Sequence, residues 1–241
     1  MTQGSPSVEA QRVWWDEWNR VHRSRELDDL GTLANRQADK ARDCAARLKL
    51  RGARILDLGC GTGWLGASLR EFGEVTGTDL SPAAIERGRE LFPGLDLRVC
   101  DFGALELIGT FDLVVSADVI AHVADQEAFV DRVAALLKPG GTFLLMTQNP
   151  FVWNRSSYLA PKGEGQIRDW PSLGKIRRML GDKFTVRRVS TIEPGGDRGW
   201  LMPVRLVMNR HARKVPGHFL AARALEFMRA GRELVVESVK R

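Results

Sequence analysis

The chain has 241 residues, of which 44% are apolar and 27% charged, a composition typical of a soluble folded domain that excludes a disordered or fibrous protein. No basic segment precedes an apolar one near the N-terminus, and no run approaches the roughly 18 apolar residues of a membrane span, so we expect a cytoplasmic protein. Much of the net charge of +6 lies after residue 150, in stretches such as KIRRML, VRRVS and RHARK, which fit a solvated surface or an anion-binding groove.

The first fifty residues are predicted to form a helical cap. Residues 8 to 48 contain few helix breakers apart from Gly31, which indicates two helices. Trp14, Trp15 and Trp18 lie near the start of the first helix, and Trp14 and Trp18 share a face because they are four residues apart. Such a face would serve either as a lid over a bound molecule or as packing against the sheet.

Strands and helices alternate after the cap. The apolar run ARILDLG (53–59) indicates a strand buried on both faces, and WLGASLREF predicts a helix behind it. The elements that follow are the strands EVTGTDL (74–80), LDLRVCD (95–101), FDLVVSAD (111–118) and TFLLMTQ (142–148), and the helices SPAAIERGRELF and DQEAFVDRVAALL. Ser81 and Pro82 are start signals for the first of these helices, and KPGG closes the second. The alternation predicts a doubly wound α/β domain with a mostly parallel sheet.

The pattern changes after Asn149. A loop leads to the helix SLGKIRRML and the strand KFTVRRVSTI, and an insert with the helical stretch HFLAARALEFMR precedes the terminal strand RELVVESV, which makes seven strands. We therefore predict one domain over 1–241, divided into the cap (1–50), a core (53–148), an elaboration on the substrate side (149–230) and the terminal strand (231–241).

The three cysteines predict neither a disulfide framework nor a zinc site. Cys44, Cys60 and Cys100 lie far apart and form no C-x-x-C pair, so we expect free thiols that are mostly buried. No other group of residues suggests a metal site.

The stretch GTGWLG (61–66) matches the dinucleotide fingerprint G-x-G-x-x-G, but its surroundings favour another cofactor. Asp57, Asp79 and Asp101 follow or end the first three strands, whose carboxyl ends surround the ligand in such sheets. Three acids would repel a pyrophosphate, whereas they suit S-adenosylmethionine, which carries a sulfonium and an ammonium group but no phosphate. In that arrangement Asp79 accepts both ribose hydroxyls, Asp101 accepts the adenine amino proton, and Gly66 is a small residue where helix meets sheet.

Several motifs in order resemble class I S-adenosylmethionine-dependent methyltransferases, which have a Rossmann-like fold. They are DLGCGTG, the acid of VTGTDLS, CDFG, FDLVVSADVIAHVAD and LLKPGGTFLL, and they cover residues 53–148. Within this family the chain is similar to ubiquinone-biosynthesis O-methyltransferases, whose N-terminal segment also carries Trp-Trp-Asp, here Trp14, Trp15 and Asp16. The resemblance implies the cofactor contacts Gly59, Cys60, Gly61, Gly63, Asp79, Leu80, Asp101, Phe102, Ser116 and Ala117. It also implies a basic residue of the cap on the methionine carboxylate, for which Arg36 and Lys40 are candidates.

His122 is the candidate catalytic base. It follows the fourth strand at the mouth of the predicted site, and histidine titrates near neutral pH. Related sequences often read Glu-His-Val here, whereas this chain has Ala121, which removes a possible metal ligand and argues against metal-assisted catalysis. The alternative is a structural role, in which His122 caps the helix that begins near Asp125 or packs beneath the cofactor.

Four further residues are weaker candidates. Tyr158 lies in a loop near the expected substrate entrance, and His211 and His218 lie in the insert beside Arg213 and Lys214, where a solvated surface competes with a lid. Asn149 belongs to QNPF, which is similar to the Asn-Pro-Pro-aromatic motif of other methyltransferases but follows the fifth strand instead of the fourth, so a loop start is the better interpretation.

These observations predict methyl transfer from S-adenosylmethionine to a small-molecule acceptor. We expect oxygen as the target atom, with nitrogen and carbon as alternatives. The positive net charge makes an RNA methyltransferase an alternative. No RNA-binding module or stacking platform is visible, so we expect no nucleic-acid partner. A non-methylating use of the sulfonium, such as ring closure, is the remaining alternative. The sequence does not indicate an oligomeric state.

Overall fold

A computed structural model of the chain describes residues 7–22, 32–102, 109–157, 166–194, 198 and 224–241. The helices, α1 to α7 in chain order, are Val8–His22, Thr32–Arg47, Trp64–Ala67, Pro82–Leu91, Gln126–Leu136, Pro150–Trp153 and Leu173–Leu180. The strands, β1 to β7, are Ala53–Leu58, Gly73–Asp79, Asp96–Val99, Phe111–Ala117, Leu137–Gln148, Phe184–Pro194 and Gly231–Lys240. All seven predicted strands are present, as are both helices predicted for the cap.

The strands form one sheet in the order β3-β2-β1-β4-β5-β7-β6. Strands β1 to β5 run parallel to one another, and β7 is inserted between β5 and β6, antiparallel to both. The chain order reverses next to β1, which pairs with β2 on one side and β4 on the other. The sheet confirms the predicted mostly parallel, doubly wound fold, and it places the carboxyl ends of β1, β2 and β4 at one edge.

Both faces of the sheet are covered. Along β1, Ile55 packs in a core with residues of α2 and α4, whereas Leu56 packs in a second core with residues of α5 and α7. On β4, Leu113 and Val114 divide between the same two cores. The apolar runs of the central strands are continuous because successive side chains point to opposite faces and both faces are buried.

The helix predicted behind β1 is shorter than expected. It ends at Ala67, and residues Arg70–Phe72 form a separate 3-10 turn instead of continuing WLGASLREF as one helix. The N–H of Leu69 donates to the carbonyl of Gly66 at 2.9 Å, three residues back, and this shorter spacing tightens the chain after the first helical turn.

Strand β5 begins earlier than predicted and includes KPGG. Leu137 pairs with Phe111, and the Lys138 ammonium binds both oxygens of Asp112 at 2.8 and 2.9 Å. The segment is therefore joined to β4 directly after α5, with a register shift between Phe111 and Leu113 that accommodates the glycines.

The three cysteines are free, as predicted. Cys44 and Cys60 are buried and Cys100 is half-buried. Burial raises the pKa of the Cys44 thiol to about 12, so this group stays protonated. In the described ranges, no helix is both long and apolar enough to cross a membrane.

Candidate functional site

The glycine loop after β1 lies against the ends of two other strands. The N–H groups of Gly59 and Cys60 donate to the carbonyl of Thr78 at 2.8 and 2.9 Å, which joins the loop to the end of β2. Gly59 has a φ of 75°, and a Cβ atom there would lie 2.1 Å from Cγ2 of Val119, just beyond β4. Only glycine allows this close approach, so the loop backbone lines the edge where β1, β2 and β4 meet.

Asp79, at the end of β2, is oriented by two backbone donors. Its Oδ2 accepts from the N–H of Gly61 at 2.8 Å, and its Oδ1 accepts from the N–H of Ser81 at 2.9 Å. Each carboxylate oxygen has a further lone pair. The side chain is half-buried at the carboxyl edge, so its geometry is compatible with the predicted contact to ribose hydroxyls.

Asp57 has a structural contact within the first turn. It is 1% exposed, and its Oδ2 accepts from the N–H of Gly66 at 2.8 Å. A Cβ atom on Gly66 would lie 3.2 Å from the same oxygen, which supports the interpretation of Gly66 as a small packing residue. Asp57 therefore holds the turn between β1 and α3, and a direct contact with the cofactor stays a prediction.

The residues predicted for the adenine lie along the same edge. The N–H of Cys100 donates to the carbonyl of Asp79 at 2.9 Å, which brings the end of β3 beside β2. Leu80, Asp101 and Phe102 are half-buried, and the Phe102 ring contacts that of Phe129 with 5.8 Å between centroids. The structure thus brings these residues close to Asp79, and their contacts with adenine stay predictions.

Strand β4 ends at the predicted methionyl side. Ser116 is fully buried, and no hydrogen-bond partner among the described residues reaches its Oγ. Ala117 is half-buried. Asp118 follows with a φ of 63°, a left-handed conformation that aspartate tolerates better than most residues. The chain therefore turns sharply as it leaves the sheet.

His122 ends a 3-10 turn, Ile120–His122, just after β4. Its Nδ1 lies 2.7 Å from the carbonyl oxygen of Ile167. Because a carbonyl only accepts, Nδ1 carries the proton, and in the neutral ring Nε2 has the lone pair. Burial lowers the pKa of His122, against the opposing effect of the Ile167 carbonyl and Asp118. The neutral, basic form therefore predominates at neutral pH.

Helix α1 covers His122. The ring of Trp15 meets that of His122 edge to face at 4.7 Å and also contacts Trp14 and Trp18. Helical spacing pairs Trp14 with Trp18 on one face, whereas Trp15 is the tryptophan that contacts the candidate base. Gln11 of the same helix accepts from the N–H of Ile167 at 3.2 Å. One helix thus contacts His122 and the segment that orients it.

Asp16 ties α1 to the other side of the site. Its Oδ1 accepts from the Ser81 hydroxyl at 3.0 Å and from the N–H of Ala83 at 2.9 Å, at the first turn of α4. Ser81 is itself the predicted N-cap and accepts from the N–H of Ala84. The sequence singled out Asp16 only within Trp-Trp-Asp, because a cap supplied from a distant helix leaves no local signal.

Replacing Asp16 with alanine is expected to lower the free energy of unfolding by about 1 kcal/mol, the usual loss for a helix cap. Burial would raise the pKa of Asp16, but hydrogen bonds from Ala83 and Ser81 and the charge of Arg20 hold it below its ordinary value of 3.8. The stabilisation is thus complete above that value and lost as pH falls through the lowered pKa. Urea unfolding at neutral and acidic pH measures both effects. Glu17→Ala, on an exposed neighbour, is the matched control, and an equal loss in it would contradict the assignment.

The candidates for the methionine carboxylate lie on α2. Arg36 forms an ion pair with Glu226, so its guanidinium already has an acidic partner. Lys40 is half-buried on the next turn. Gln37, which the sequence did not single out, is 2% exposed and donates from Nε2 to Oδ2 of Asp118 at 2.9 Å. The assignment of Arg36 or Lys40 stays a prediction.

Of the four weaker candidates, Asn149 is the one that lies within the described residues. Tyr158, His211, His218 and their basic neighbours lie outside the described residues. Asn149 starts the short helix α6 instead of a loop, with Oδ1 accepting from the N–H of Phe151 at 3.2 Å. Its Nδ2 donates to the carbonyls of Arg229 and Gly231, so the amide joins α6 to the start of β7. This agrees with excluding Asn149 from the chemistry.

A family model described as a methyltransferase domain matches residues 27–226. The chain belongs to this methyltransferase family. Membership confirms the resemblance to class I S-adenosylmethionine-dependent methyltransferases, and with it the cofactor of the family. The glycine loop, Asp79 and the end of β4 lie at the edge of the sheet where the resemblance placed that cofactor.

Among similar proteins is the ubiquinone biosynthesis O-methyltransferase of Xanthomonas oryzae pv. oryzae, which is 38% identical over 145 residues. The match covers 52% of this chain and 61% of that protein. The corresponding protein of Xanthomonas campestris pv. campestris is 37% identical over the same length. The chain thus spans about three fifths of the length of these curated relatives.

Solved structures share the fold at low identity. Magnesium protoporphyrin IX methyltransferase of Synechocystis PCC 6803, with bound S-adenosylmethionine, has a TM-score of 0.61 and 17% identity over 100% of both chains. The N-methyltransferase NodS of Bradyrhizobium japonicum WM9, in complex with S-adenosylhomocysteine, has a TM-score of 0.60 and 14% identity over 97% of this chain and 96% of that one. At these identities the likeness concerns the fold alone.

Proposed function

We propose that the chain transfers the methyl group of S-adenosylmethionine to a hydroxyl group of a small aromatic acceptor, with His122 as the base. The observation that carries the proposal is the orientation of His122. Its Nδ1 is committed to the Ile167 carbonyl at 2.7 Å, which leaves Nε2 of the neutral ring free to take a proton.

The described residues fit the cofactor. The Gly59 backbone approaches the Val119 side chain so closely that a Cβ atom would clash with it, and this keeps the glycine loop against the end of β4. We assign the methionyl part to Gly59, Gly61 and Ser116, and the ribose to Asp79. Leu80, Asp101 and Phe102 are assigned to the adenine. The cofactor supplies a methyl carbon already activated by its sulfonium.

The contribution of the protein to the reaction is mainly orientation. Positioning alone can supply roughly 7 to 11 kcal/mol of a barrier to displacement. A hydroxyl acceptor must also lose its proton as the new bond forms, and Nε2 of His122 would receive it. Trp15 packs edge to face against the imidazole, in agreement with the burial that lowers the pKa of His122.

Aromatic side chains near the end of β5 and the start of β7 favour a planar acceptor. Trp153 follows β5 and lies 5.8 Å from Trp170, while its Nε1 donates to the carbonyl of Arg232. Trp170 belongs to the segment that also supplies Ile167 to His122. The curated relatives are named as ubiquinone biosynthesis O-methyltransferases, and this name supports a hydroxyl group as the target.

The charges of the described residues favour a small molecule over nucleic acid. In the basic stretch of α7, Lys175 pairs with Asp169 at 2.7 Å, and Lys183 after it pairs with Asp131. Arg47 at the end of α2 pairs with Glu237 of β7. Such pairing supports a solvated surface for these bases.

Calorimetric titration tests the cofactor assignment. We expect S-adenosylmethionine and S-adenosylhomocysteine to bind and NAD to give no heat, because the acids at the strand ends oppose a pyrophosphate. Binding of NAD alone would overturn the assignment. A panel of phenols, amines and carbon acids with methyl-labelled cofactor then identifies the target atom, and label found only in amines would overturn the hydroxyl acceptor.

A further inference from the structure

Glu233 is a buried acid that has no role in the proposed transfer of the methyl group or of the acceptor's proton. It lies on β7, opposite Gln148 of β5 and Ile192 of β6, and is 1% exposed. Burying an ionised carboxylate is costly unless it is paired. The groups that contact Glu233 therefore decide whether its carboxyl group is protonated or ionised.

The carboxyl group of Glu233 lies within hydrogen-bonding reach of the carboxyl group of Asp118, just beyond the end of β4. If both were ionised, Asp118 Oδ1 and Glu233 Oε2 would be buried with no donor from the described residues. One proton between the two groups removes both defects. Gln37 already donates to the other oxygen of Asp118, so a proton on Glu233 would give the remaining oxygen of Asp118 its donor.

The surrounding charges agree with this arrangement. Burial raises the pKa of Glu233 well above its ordinary value, and Asp118 and Glu193 of β6 act in the same direction. Arg232 opposes them but also faces Glu193 at 3.8 Å. On α2, the charge of Arg36 is engaged by Glu226, and Gln37 is neutral.

We propose that Glu233 is a positioning residue of the methyl-transfer site, whose hydrogen bond to Asp118 holds the segment after β4 against β7. The inference rests on the proposed function. Asp118 has a left-handed backbone conformation, and its N–H donates to the carbonyl of Met146 of β5 at 3.0 Å. Its side chain faces Gln37 of α2 and Glu233 of β7, so these elements meet at the end of β4. Ser116 precedes this point and His122 follows it.

The direction of the pH effect follows from the shared proton. A group whose pKa is raised by folding contributes stability below its unfolded pKa, and this contribution is lost as pH rises through the folded value. Deprotonation of Glu233 would place two negative charges side by side and release the segment after β4. Affinity for S-adenosylhomocysteine should therefore fall as pH rises through the raised pKa of Glu233, and we call this decrease the alkaline loss.

The test compares Glu233→Gln with Glu233→Ala. Glutamine is neutral and can still donate to Asp118, so it should keep the affinity for S-adenosylhomocysteine at neutral pH and abolish the alkaline loss. Alanine leaves Asp118 Oδ1 without a donor, and we expect at least about fivefold weaker binding at all pH values. Glu237→Gln, on the same strand but paired with Arg47, is the control and should keep the alkaline loss.

Two results would overturn the proposal. One is weak binding of S-adenosylhomocysteine by Glu233→Gln at neutral pH, which would mean that the ionised carboxylate is required. The other is an unchanged alkaline loss in the same variant. Asp118→Asn provides a second test, because its amide can donate to an ionised Glu233 and should also remove the alkaline loss. The pH dependence of Tm follows the same pair without any ligand, so failure of the proposed function is distinguishable from failure of this one.

Discussion

Replacing His122 with asparagine is expected to lower kcat about 100-fold or more while leaving the affinity for S-adenosylhomocysteine unchanged. Asparagine is the informative substitution because its Nδ2 can occupy the place of Nδ1 and donate to the Ile167 carbonyl. It keeps the structural contact and removes Nε2. Single-turnover methylation with a confirmed acceptor, together with calorimetry, measures the two quantities separately.

Ala and Asn variants of His122 distinguish a base from a packing residue. If His122 acts as the base, both variants should be equally slow. If its contact with Ile167 is what matters, His122→Asn should work nearly as well as the natural enzyme, and that result would return His122 to a structural role.

The pH profile gives a further test of the base. Burial lowers the pKa of His122 below its ordinary value of 6.5, so the acidic limb of kcat should lie below that pH. Protonation of Nε2 abolishes the base, and the rate therefore falls as pH falls. In His122→Asn the residual rate should lack this limb.

The second large effect is expected at Asp79. Asp79→Ala should weaken binding of S-adenosylmethionine and S-adenosylhomocysteine by roughly 1.5 to 3 kcal/mol, or about 10- to 150-fold, the value of hydrogen bonds to a charged group. The variant also leaves the N–H groups of Gly61 and Ser81 without their acceptor. Calorimetry with both ligands measures the loss.

A matched control separates the ribose contact from a general loss of charge. Asp96→Ala removes a carboxylate from the opposite, amino end of β3, where Asp96 binds Thr76 and Arg98. Its affinity for both ligands should equal that of the natural protein. Unchanged affinity in Asp79→Ala would refute the ribose assignment, and equal losses in both variants would indicate a non-specific effect.

The candidate site shows which features can be inferred from sequence. The glycines and Asp79 were identified because a turn with positive φ and a strand-ending acid each leave a local pattern. His122 was identified by its place after a buried strand. The hydrogen-bond partner that decides its tautomer, Ile167, lies 45 residues further along, and no periodicity connects the two.

The site residues that could not be identified from the sequence come together only in the folded chain. Gln37, Asp118 and Glu233 come from α2, the end of β4 and β7, and in sequence each is an ordinary polar residue. Asp16 likewise caps a helix that begins 66 residues later. Side chains contributed by separate elements acquire a shared role only when tertiary packing brings them together.

The sequence by itself determined the alternation of elements, the seven strands and the edge of the sheet that carries the acids and glycines. These follow from local hydrophobic periodicity, turn residues and the short range of backbone hydrogen bonds. The tertiary structure decided the antiparallel insertion of β7, the placement of Trp15 over His122 and the contact between Asp118 and Glu233. Each of these depends on how distant segments pack, and packing is a property of the whole chain.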